Sequence, residues 1–204
     1  MTRTTRQLIL ASGSTTRRAM LAAAGVMFDV VPADVDEPAL RSALATENPD
    51  VTPAEIAQAL AAAKSKDVSR RYPGAIVIGS DQILECDGEI FSKPGDASAV
   101  RTTLEKLSDR THSLHAAVAL SCAGKVSWAA CDTARLTMRC LSPAFIDDYV
   151  ARTGEAVLGS VGAYQIEGLG IQLFEQIDGN HFTILGMPLL PLLSELRAQG
   201  ELPQ

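Results

Sequence analysis

The sequence predicts an α/β fold, because short runs of β-forming residues alternate along the chain with helices rich in alanine and leucine. Hydrophobic residues make up 47% of the 204 residues, which is enough for a substantial core. No internal repeat or low-complexity segment interrupts the alternation. The chain is therefore expected to form one large domain or two lobes that share a cleft.

The first strand and helix are predicted at the beginning of the chain. An apolar run over residues 8–11 leads into a loop of small hydroxyl residues and glycine, 12–16, and two arginines then open a helix that stops at Gly25. Such a loop lets backbone N–H groups approach a phosphate at the helix N-terminus. The alternative is an ordinary turn in which Ser14 or Thr15 caps the helix and the arginines are solvated.

The later elements follow from periodicity and turn residues. Residues 26–31 are predicted to form a strand, and the polar, acidic residues 33–50 a loop or lid. Thr52, Pro53 and Glu55 make a capping box that begins the next helix. Further along we predict a hairpin of strands 75–84 and 90–91, a helix from Asp96 to about Leu107, strands 113–120 and 125–138, a helix from Ser142 to Gly154, a hairpin of strands 171–177 and 182–185, and a final helix over 189–199.

Composition excludes several classes of partner. With 18 basic against 24 acidic residues and a net charge of −6, the chain lacks the excess of Lys and Arg that nucleic-acid or anionic-membrane binding needs. The 4 cysteines form no C-x-x-C pair and the 3 histidines show no H-E-x-x-H spacing, so neither a zinc nor a redox motif is indicated. We expect a reduced cytoplasmic protein without a nucleic-acid or membrane partner.

Three charged residues occupy positions that call for a partner or a ligand. Asp81 lies inside an otherwise apolar strand, and Lys93 ends the returning arm of the same hairpin. The ribbon would present both near one surface, either as a structural ion pair or as a catalytic pair. Lys64 shares a helical stripe with Ile56 and Leu60, so it either snorkels at the helix end or points into a cleft.

A glycine-rich segment over residues 162–170 carries two further candidates. Gln165 and Glu167 have hydrogen-bonding side chains of the kind that recognise a base edge, and the glycines permit a tight backbone path. Alternatively, Glu167 faces solvent or pairs with an arginine.

Together these segments resemble the Maf family of nucleoside triphosphate pyrophosphatases over nearly the whole chain. The resemblance implies a bent mixed sheet with two lobes around a central cleft, similar to that of inosine triphosphatases, a single Maf-like domain over residues 1–204, and a homodimer. The residues that carry it are Leu10-Ala11-Ser12-Gly13-Ser14 with Arg17-Arg18, Val35-Asp36-Glu37, Ala63-Lys64, Gly79-Ser80-Asp81-Gln82, Lys93-Pro94, Gly162-Ala163-Tyr164-Gln165-Ile166-Glu167-Gly168 and Leu185-Gly186-Met187-Pro188-Leu189.

The resemblance also implies a reaction, the hydrolysis of a nucleoside triphosphate to the monophosphate and pyrophosphate, which would cleanse the nucleotide pool. Asp81 would be the general base for water attack on the α-phosphorus, and Glu37 would join it in holding a divalent cation such as Mg²⁺, Mn²⁺ or Co²⁺. Lys64, Lys93 and Arg17 would neutralise the phosphates. The implied substrate-binding residues are Ser12, Ser14, Thr16, Arg17, Gln82 and Glu167.

The chain departs from the commonest family pattern where the base would lie. The usual Ser-Pro-Arg-Arg is here Ser14-Thr15-Thr16-Arg17. Gln82 and Glu167 resemble the branch that cleaves 7-methyl-GTP, although that branch often has tryptophan where Thr16 stands. A carboxylate at Glu167 can accept from the N1–H and N2–H groups of a guanine edge, which favours a guanine-type base.

Two other functions compete with this interpretation. The family's association with inhibition of septum formation suggests a nucleotide-binding regulator of cell division with little turnover. A kinase or other phosphoryl transferase is disfavoured, because the chain has no Walker loop and no evident site for a second substrate.

Overall fold

The computed structural model describes residues 6–203, and residues 1–5 and 204 lie outside the described part of the chain. No helix in the described part is both long and apolar enough to cross a membrane. The helices are α1 (Thr15–Ala23), α2 (Glu37–Glu47), α3 (Pro53–Arg71), α4 (Ala97–Leu107), α5 (Pro143–Thr153), α6 (His181–Ile184) and α7 (Leu189–Ala198). The strands are β1 (Leu8–Leu10), β2 (Asp29–Val30), β3 (Ile76–Cys86), β4 (Glu89–Phe91), β5 (Thr111–Cys122), β6 (Lys125–Met138) and β7 (Phe174–Asp178).

The strands form one mixed sheet in the order β2-β1-β3-β5-β6-β7, with β4 paired to β3. β1 runs parallel to both of its neighbours, with Ile9 opposite Asp29 on one side and Val77 on the other. β4 is antiparallel to β3, and β7 is antiparallel to β6. The predicted α/β fold with a mixed sheet is therefore confirmed.

Two compact units make up the chain. The first comprises Met1–Gln82, His115–Asp132 and Asn180–Gln204, and the second comprises Ile83–Leu114 and Thr133–Gly179. In the first unit, Leu10 and Ile78 belong to one buried cluster and Ile9 and Val77 to another. Because successive strand residues point to opposite faces, β1 and β3 are covered on both sides, as parallel strands usually are.

Helix α3 packs directly onto β3 at Gly79. A Cβ atom at this position would lie 2.2 Å from the carbonyl oxygen of Ala61 and 2.6 Å from the backbone nitrogen of Ser65. Only glycine permits an approach this close. The contact fixes the part of α3 that carries Lys64 against the strand that carries Asp81.

The segment predicted as a loop or lid contains a helix. α2 begins at Glu37, where Asp36 accepts from the backbone N–H of Ala39 and a proline occupies the first turn. The prediction of a loop over 33–50 gave weight to acidic residues and prolines, which are also typical of a capped helix start. The helix has no fully buried residue, and its two leucines, Leu40 and Leu44, are only partly buried, so its apolar stripe is too weak to identify the helix.

The predicted hairpin near the end of the chain is also wrong. Residues 182–185 were expected to form a strand, whereas His181–Ile184 form the short helix α6, capped by the Asn180 side chain on the N–H of Phe182. Leu169–Leu173 form a 3-10 helix, and β7 pairs with β6 instead. The predicted strand over 26–31 shortens to β2. Apolar runs this short do not distinguish a strand from a helical turn.

Candidate active site

The N-terminus of α1 forms a tight loop held by its own serines. Ser14 caps the helix by accepting from the N–H of Arg17 at 3.3 Å, and the buried Ser12 Oγ accepts from the N–H of Ser14 at 3.2 Å. Capping by Ser14, one of the alternatives above, is confirmed. The first-turn N–H groups of Thr15 and Thr16 have no intrahelical acceptor, as at any helix start. These groups can still receive a phosphate, so that role stays a prediction.

Arg17 is half-buried, and backbone carbonyl groups hold its guanidinium in place. Its Nε donates to Gly186 O at 2.9 Å, and its Nη1 donates to Ser80 O at 3.0 Å. Burial lowers the pKa of Arg17, while the charges of Asp81 and Glu37 act in the opposite direction. The guanidinium remains charged. Its Nη2 takes part in none of these hydrogen bonds and is the group that can reach an anion.

The carbonyl group of Gly186 holds two side chains of the site, although the sequence motifs assigned this residue no role. Its carbonyl accepts from Ser80 Oγ at 3.1 Å as well as from Arg17. Its φ of +107° is one that side-chain-bearing residues rarely adopt. The sequence signal was the glycine within the Leu-Gly-Met-Pro-Leu motif, but no local pattern shows which side chains its carbonyl accepts from.

Gln82 connects β3 to the short helix α6 by hydrogen bonds. Its Nε2 donates to Thr183 O at 2.9 Å and to Ile184 O at 3.1 Å, so the amide N–H groups are engaged by backbone. Thr183 in turn donates through Oγ1 to Asp132 at 2.6 Å. Only the amide oxygen Oε1 of Gln82 is then left to contact the base. The contact between Gln82 and the base stays a prediction.

Asp81, Lys64 and Glu37 form the charged centre of the first unit. Lys64 Nζ lies 2.5 Å from Asp81 Oδ1 and 2.8 Å from Glu37 Oε1. The side chains of Asp81 and Lys64 are 7% and 13% exposed, and that of Glu37 is 38% exposed. Lys64 therefore points inward toward β3, and it does not snorkel at the helix end. The partner of Asp81 in this unit is Lys64.

The second oxygen of Asp81 distinguishes this centre from an ordinary ion pair. Oδ2 is buried and has no hydrogen-bond partner in the structure. Buried carboxylate oxygens are normally satisfied, so an orphaned one points to a ligand, a water or a cation. In residues 6–203 no group of three or more His, Cys, Asp or Glu side chains could hold a metal by itself. A cation that keeps its waters and binds phosphate oxygens needs only one or two carboxylates, so Asp81 and Glu37 fit it.

Arg41 adds a cation that sequence analysis missed. It lies one turn after Glu37 on α2, with Nη2 3.9 Å from Glu37 Oε2, and its Nε is buried without a partner. The i,i+4 spacing from Glu37 was the available signal, but residues 33–50 were predicted to be a loop. Arg41 places a second positive charge beside the carboxylate of Glu37.

Lys93 and Glu167, the remaining predicted site residues, lie in the second unit. Lys93 is exposed between β4 and α4, where it lines an open groove with Pro94 and Lys106. Glu167 is exposed within the glycine-rich segment. The proximity of Lys93 to Asp81 and the contact of Glu167 with the base both stay predictions.

Comparison with known proteins adds independent observations. The sequence profile of the family described as Maf-like protein matches residues 7–199. The chain is 52% identical over 196 residues to a protein of Mesorhizobium japonicum named 7-methyl-GTP pyrophosphatase, covering 96% of this chain and 98% of that protein. It is 49% identical over 193 residues to a protein of Nitrobacter hamburgensis named nucleoside triphosphate pyrophosphatase, covering 95% of this chain and 94% of that protein. The solved structure of the Staphylococcus aureus Ham1 protein gives a TM-score of 0.42 at 16% identity, covering 65% of this chain and 72% of that chain.

Proposed function

The chain belongs to the Maf-like protein family, and on that premise we propose that this nucleoside triphosphate pyrophosphatase acts on a guanine-type nucleotide, 7-methyl-GTP foremost. The products are the nucleoside monophosphate and pyrophosphate. The observation that carries the hydrolytic reaction is the unpartnered Oδ2 of Asp81 beside Lys64 and Glu37. The choice of base is supported by the 52% identity to a protein named 7-methyl-GTP pyrophosphatase. A protein that only binds nucleotide has no need of a buried carboxylate oxygen without a partner.

Asp81 is the proposed general base. Its Oδ1 is held by Lys64, which fixes the carboxylate rotamer and leaves Oδ2 as the atom that orients a water molecule and takes its proton. Water attack on the α-phosphorus then releases pyrophosphate as the leaving group. General-base catalysis of this kind is typically worth about 10²- to 10⁴-fold in rate.

Glu37 and Asp81 would together hold a divalent cation such as Mg²⁺, Mn²⁺ or Co²⁺. When bound, such an ion neutralises phosphate charge and polarises the phosphoryl group. Glu37 is the more exposed of the two carboxylates, so it can exchange its contact with Lys64 for other ligands. Arg41 lies beside Glu37, with its Nη2 3.9 Å from Oε2 of that carboxylate.

Positive groups of the first unit would stabilise the charge that develops on the phosphates. Arg17 offers Nη2 from a guanidinium whose other donors are fixed by Ser80 and Gly186. The ammonium group of Lys64 keeps a further N–H besides the contacts with Asp81 and Glu37. Donors that are already oriented before reaction lose little energy in reorganisation. Lys93 is proposed to contribute a third charge.

The experiment is a product assay across a panel of nucleotides. The purified protein is incubated with 7-methyl-GTP, GTP, dTTP and UTP in the presence of Mg²⁺, Mn²⁺ or Co²⁺, and pyrophosphate and orthophosphate are quantified separately. Release of pyrophosphate with the monophosphate, abolished by a chelator, is expected. Release of orthophosphate would indicate a different reaction, and tight binding without release would support a regulator of septum formation.

We propose a cytoplasmic homodimer in which residues 1–204 form one Maf-like domain. No partner among nucleic acids or membranes is proposed, given the net charge of −6. Light scattering coupled to size-exclusion chromatography tests the dimer, because a mass near 21.6 kDa would show a monomer.

A further inference from the structure

The glycine-rich segment Gly162–Gly168 is held by buried polar groups from neighbouring elements of the second unit. Tyr149 of α5 donates through its hydroxyl to the carbonyl oxygen of Ala163 at 3.1 Å. The hydroxyl of Tyr164 lies 2.7 Å from Nε2 of His112, near the start of β5. The ring of Tyr164 also packs edge-on against Phe174, the first residue of β7, with 4.8 Å between ring centroids. The segment is thus attached at consecutive residues.

The groups that make these attachments are neutral and almost completely buried. Tyr149 and His112 are each 1% exposed, and Tyr164 is 7% exposed. Burial raises the pKa of both tyrosines and lowers the pKa of His112 to about 4, so none of them is charged near neutral pH. Apolar side chains would fill the same space without the cost of burying hydroxyl and imidazole groups. The hydrogen bonds therefore specify a conformation and do more than fill the core.

The backbone of this segment has little freedom to adopt another path. Ala163 has a φ of +59°, in the left-handed region that non-glycine residues seldom occupy. A Cβ atom on Gly162 would lie 2.2 Å from the ring of Tyr164, and one on Gly170 would lie 2.5 Å from the carbonyl oxygen of Gln165. Gln165 itself donates through Nε2 to Ala156 O at 2.8 Å. Residues within this stretch therefore pack tightly against one another, which restricts the path of its backbone.

We propose that Tyr149, Tyr164 and His112 are positioning residues for recognition of the base. They fix the residues that precede the exposed Glu167, and thereby the position from which its carboxylate meets the base. This inference rests on the proposed function, in which Glu167 selects a guanine-type nucleotide. Discrimination by a charge-assisted hydrogen bond depends on its geometry, so a displaced carboxylate at Glu167 would distinguish the two bases less well.

Removal of single hydroxyl groups tests the proposal. Tyr149→Phe and Tyr164→Phe each delete one hydrogen bond and keep the ring, while Tyr72→Phe at the exposed end of α3 is the matched control. We expect the ratio of kcat/KM for 7-methyl-GTP to that for UTP to fall roughly 10-fold in the first two variants. The loss should appear in KM for 7-methyl-GTP, with kcat at saturation within about 2-fold of the wild type, because the phosphate chemistry is unchanged. The control should keep the wild-type ratio.

Hydrogen exchange provides a readout that does not depend on activity. The N–H groups of Ala163 and Gly168 donate to Ser160 O and Gln165 O, so they should be protected in the wild type and exchange faster in both variants. An unchanged ratio in a folded variant, or unprotected amides in the wild type, overturns the proposal. A wild type that releases no pyrophosphate refutes the proposed function alone, and the exchange rates then still decide whether these residues fix the segment.

Discussion

Lys64 Nζ lies 2.5 Å from Asp81 Oδ1, which joins the inner face of a helix to the middle of a buried strand. A buried ion pair adds little net stability over apolar residues of the same volume, because desolvation offsets the Coulombic gain. The ion pair therefore serves mainly to fix the orientation of the Asp81 carboxylate. It holds one oxygen of Asp81 and leaves the other, Oδ2, buried without a hydrogen-bond partner.

Asp81→Asn should abolish turnover while the protein still folds and binds nucleotide. The amide has the same size and its oxygen can still accept from Lys64, but its nitrogen cannot take a proton from water. We expect a loss of at least about 10²-fold in kcat. Pyrophosphate release measures the rate, and calorimetric titration with a non-hydrolysable analogue measures binding.

Asp67→Asn is the matched control for this substitution, since Asp67 lies on α3 in a partly exposed pair with Arg71 and accepts from the backbone N–H of Asp34. It should leave the rate unchanged. Near-wild-type turnover of Asp81→Asn at saturating metal would mean that Asp81 is a structural residue and that another group activates the water.

Lys64→Met should lower both stability and activity, because it leaves a buried carboxylate without its cation. We expect the free energy of unfolding to drop by about 3 kcal/mol. The double variant Lys64→Met with Asp81→Asn should regain much of this stability and none of the activity. Urea unfolding of the wild type, the two single variants and the double variant measures the coupling energy between Lys64 and Asp81. Lys66→Met on the same helix is the control. A Lys64→Met protein as stable as the wild type would show that the pair is not coupled.

Gly186→Ala should reduce kcat/KM through Arg17. At a φ of +107° an alanine is strained, and its Cβ would lie 3.5 Å from Gln82 Oε1 and 3.6 Å from Arg17 Nε. We expect about 1–3 kcal/mol of destabilisation and a measurable loss in kcat/KM, because relief of the strain displaces the backbone carbonyl that orients Arg17.

The control for this variant has the same kind of backbone strain and lies just after the end of α1. Gly25 has a φ of +73° with open space where a Cβ would lie, so Gly25→Ala should cost stability without changing kcat/KM. Equal values of kcat/KM for Gly186→Ala and Gly25→Ala would show that Gly186 has no specific role in orienting Arg17.

Local signals predicted the elements that are stabilised locally. The capping box of Thr52 and Glu55 is present as expected, and so is the tight turn between β3 and β4. α2 was missed because it lies on the surface, and its start signal at Asp36 was outweighed by polar composition. α6 was missed because a single helical turn has no periodicity to detect.

The site could be predicted only as a set of residue types. An aspartate in a buried strand signals a required partner, but its contact with Lys64 depends on how α3 docks at Gly79. The hydrogen bond from Arg17 to Gly186 spans 169 positions of the chain. Such contacts arise from tertiary packing, and neither spacing nor composition contains them.

His112 should make the protein less stable in acid. Its folded-state pKa of about 4 lies below its ordinary value of 6.5, so the unfolded chain binds a proton more readily between these values. The resulting stability is present above pH 6.5 and is lost as the pH falls toward 4, by about 3 kcal/mol in all. Denaturant unfolding from pH 7 to pH 4 measures this change in the free energy of unfolding.

The variant His112→Gln should show a shallower dependence of the free energy of unfolding on pH, whereas His181→Gln at the exposed start of α6 should match the wild type. Parallel profiles for all three proteins would show that His112 titrates normally.

Base preference depends on Glu167. If its carboxylate accepts from two donors of a guanine edge, the wild type should prefer 7-methyl-GTP and GTP over dTTP and UTP, because pyrimidines present a single N–H flanked by carbonyl oxygens that a carboxylate repels. Glu167→Gln should reduce the difference in kcat/KM between guanine-type and pyrimidine nucleotides, since an amide can both donate to and accept from a pyrimidine edge.

Values of kcat/KM for the four nucleotides measure the change, with Glu155→Gln on a neighbouring exposed turn as the control. A wild type that favours dTTP or UTP, or a variant with an unchanged ranking, would place Glu167 outside the base site. The catalytic role of Asp81 would then stand, and the determinant of base choice would have to be sought at Gln82 and Thr16.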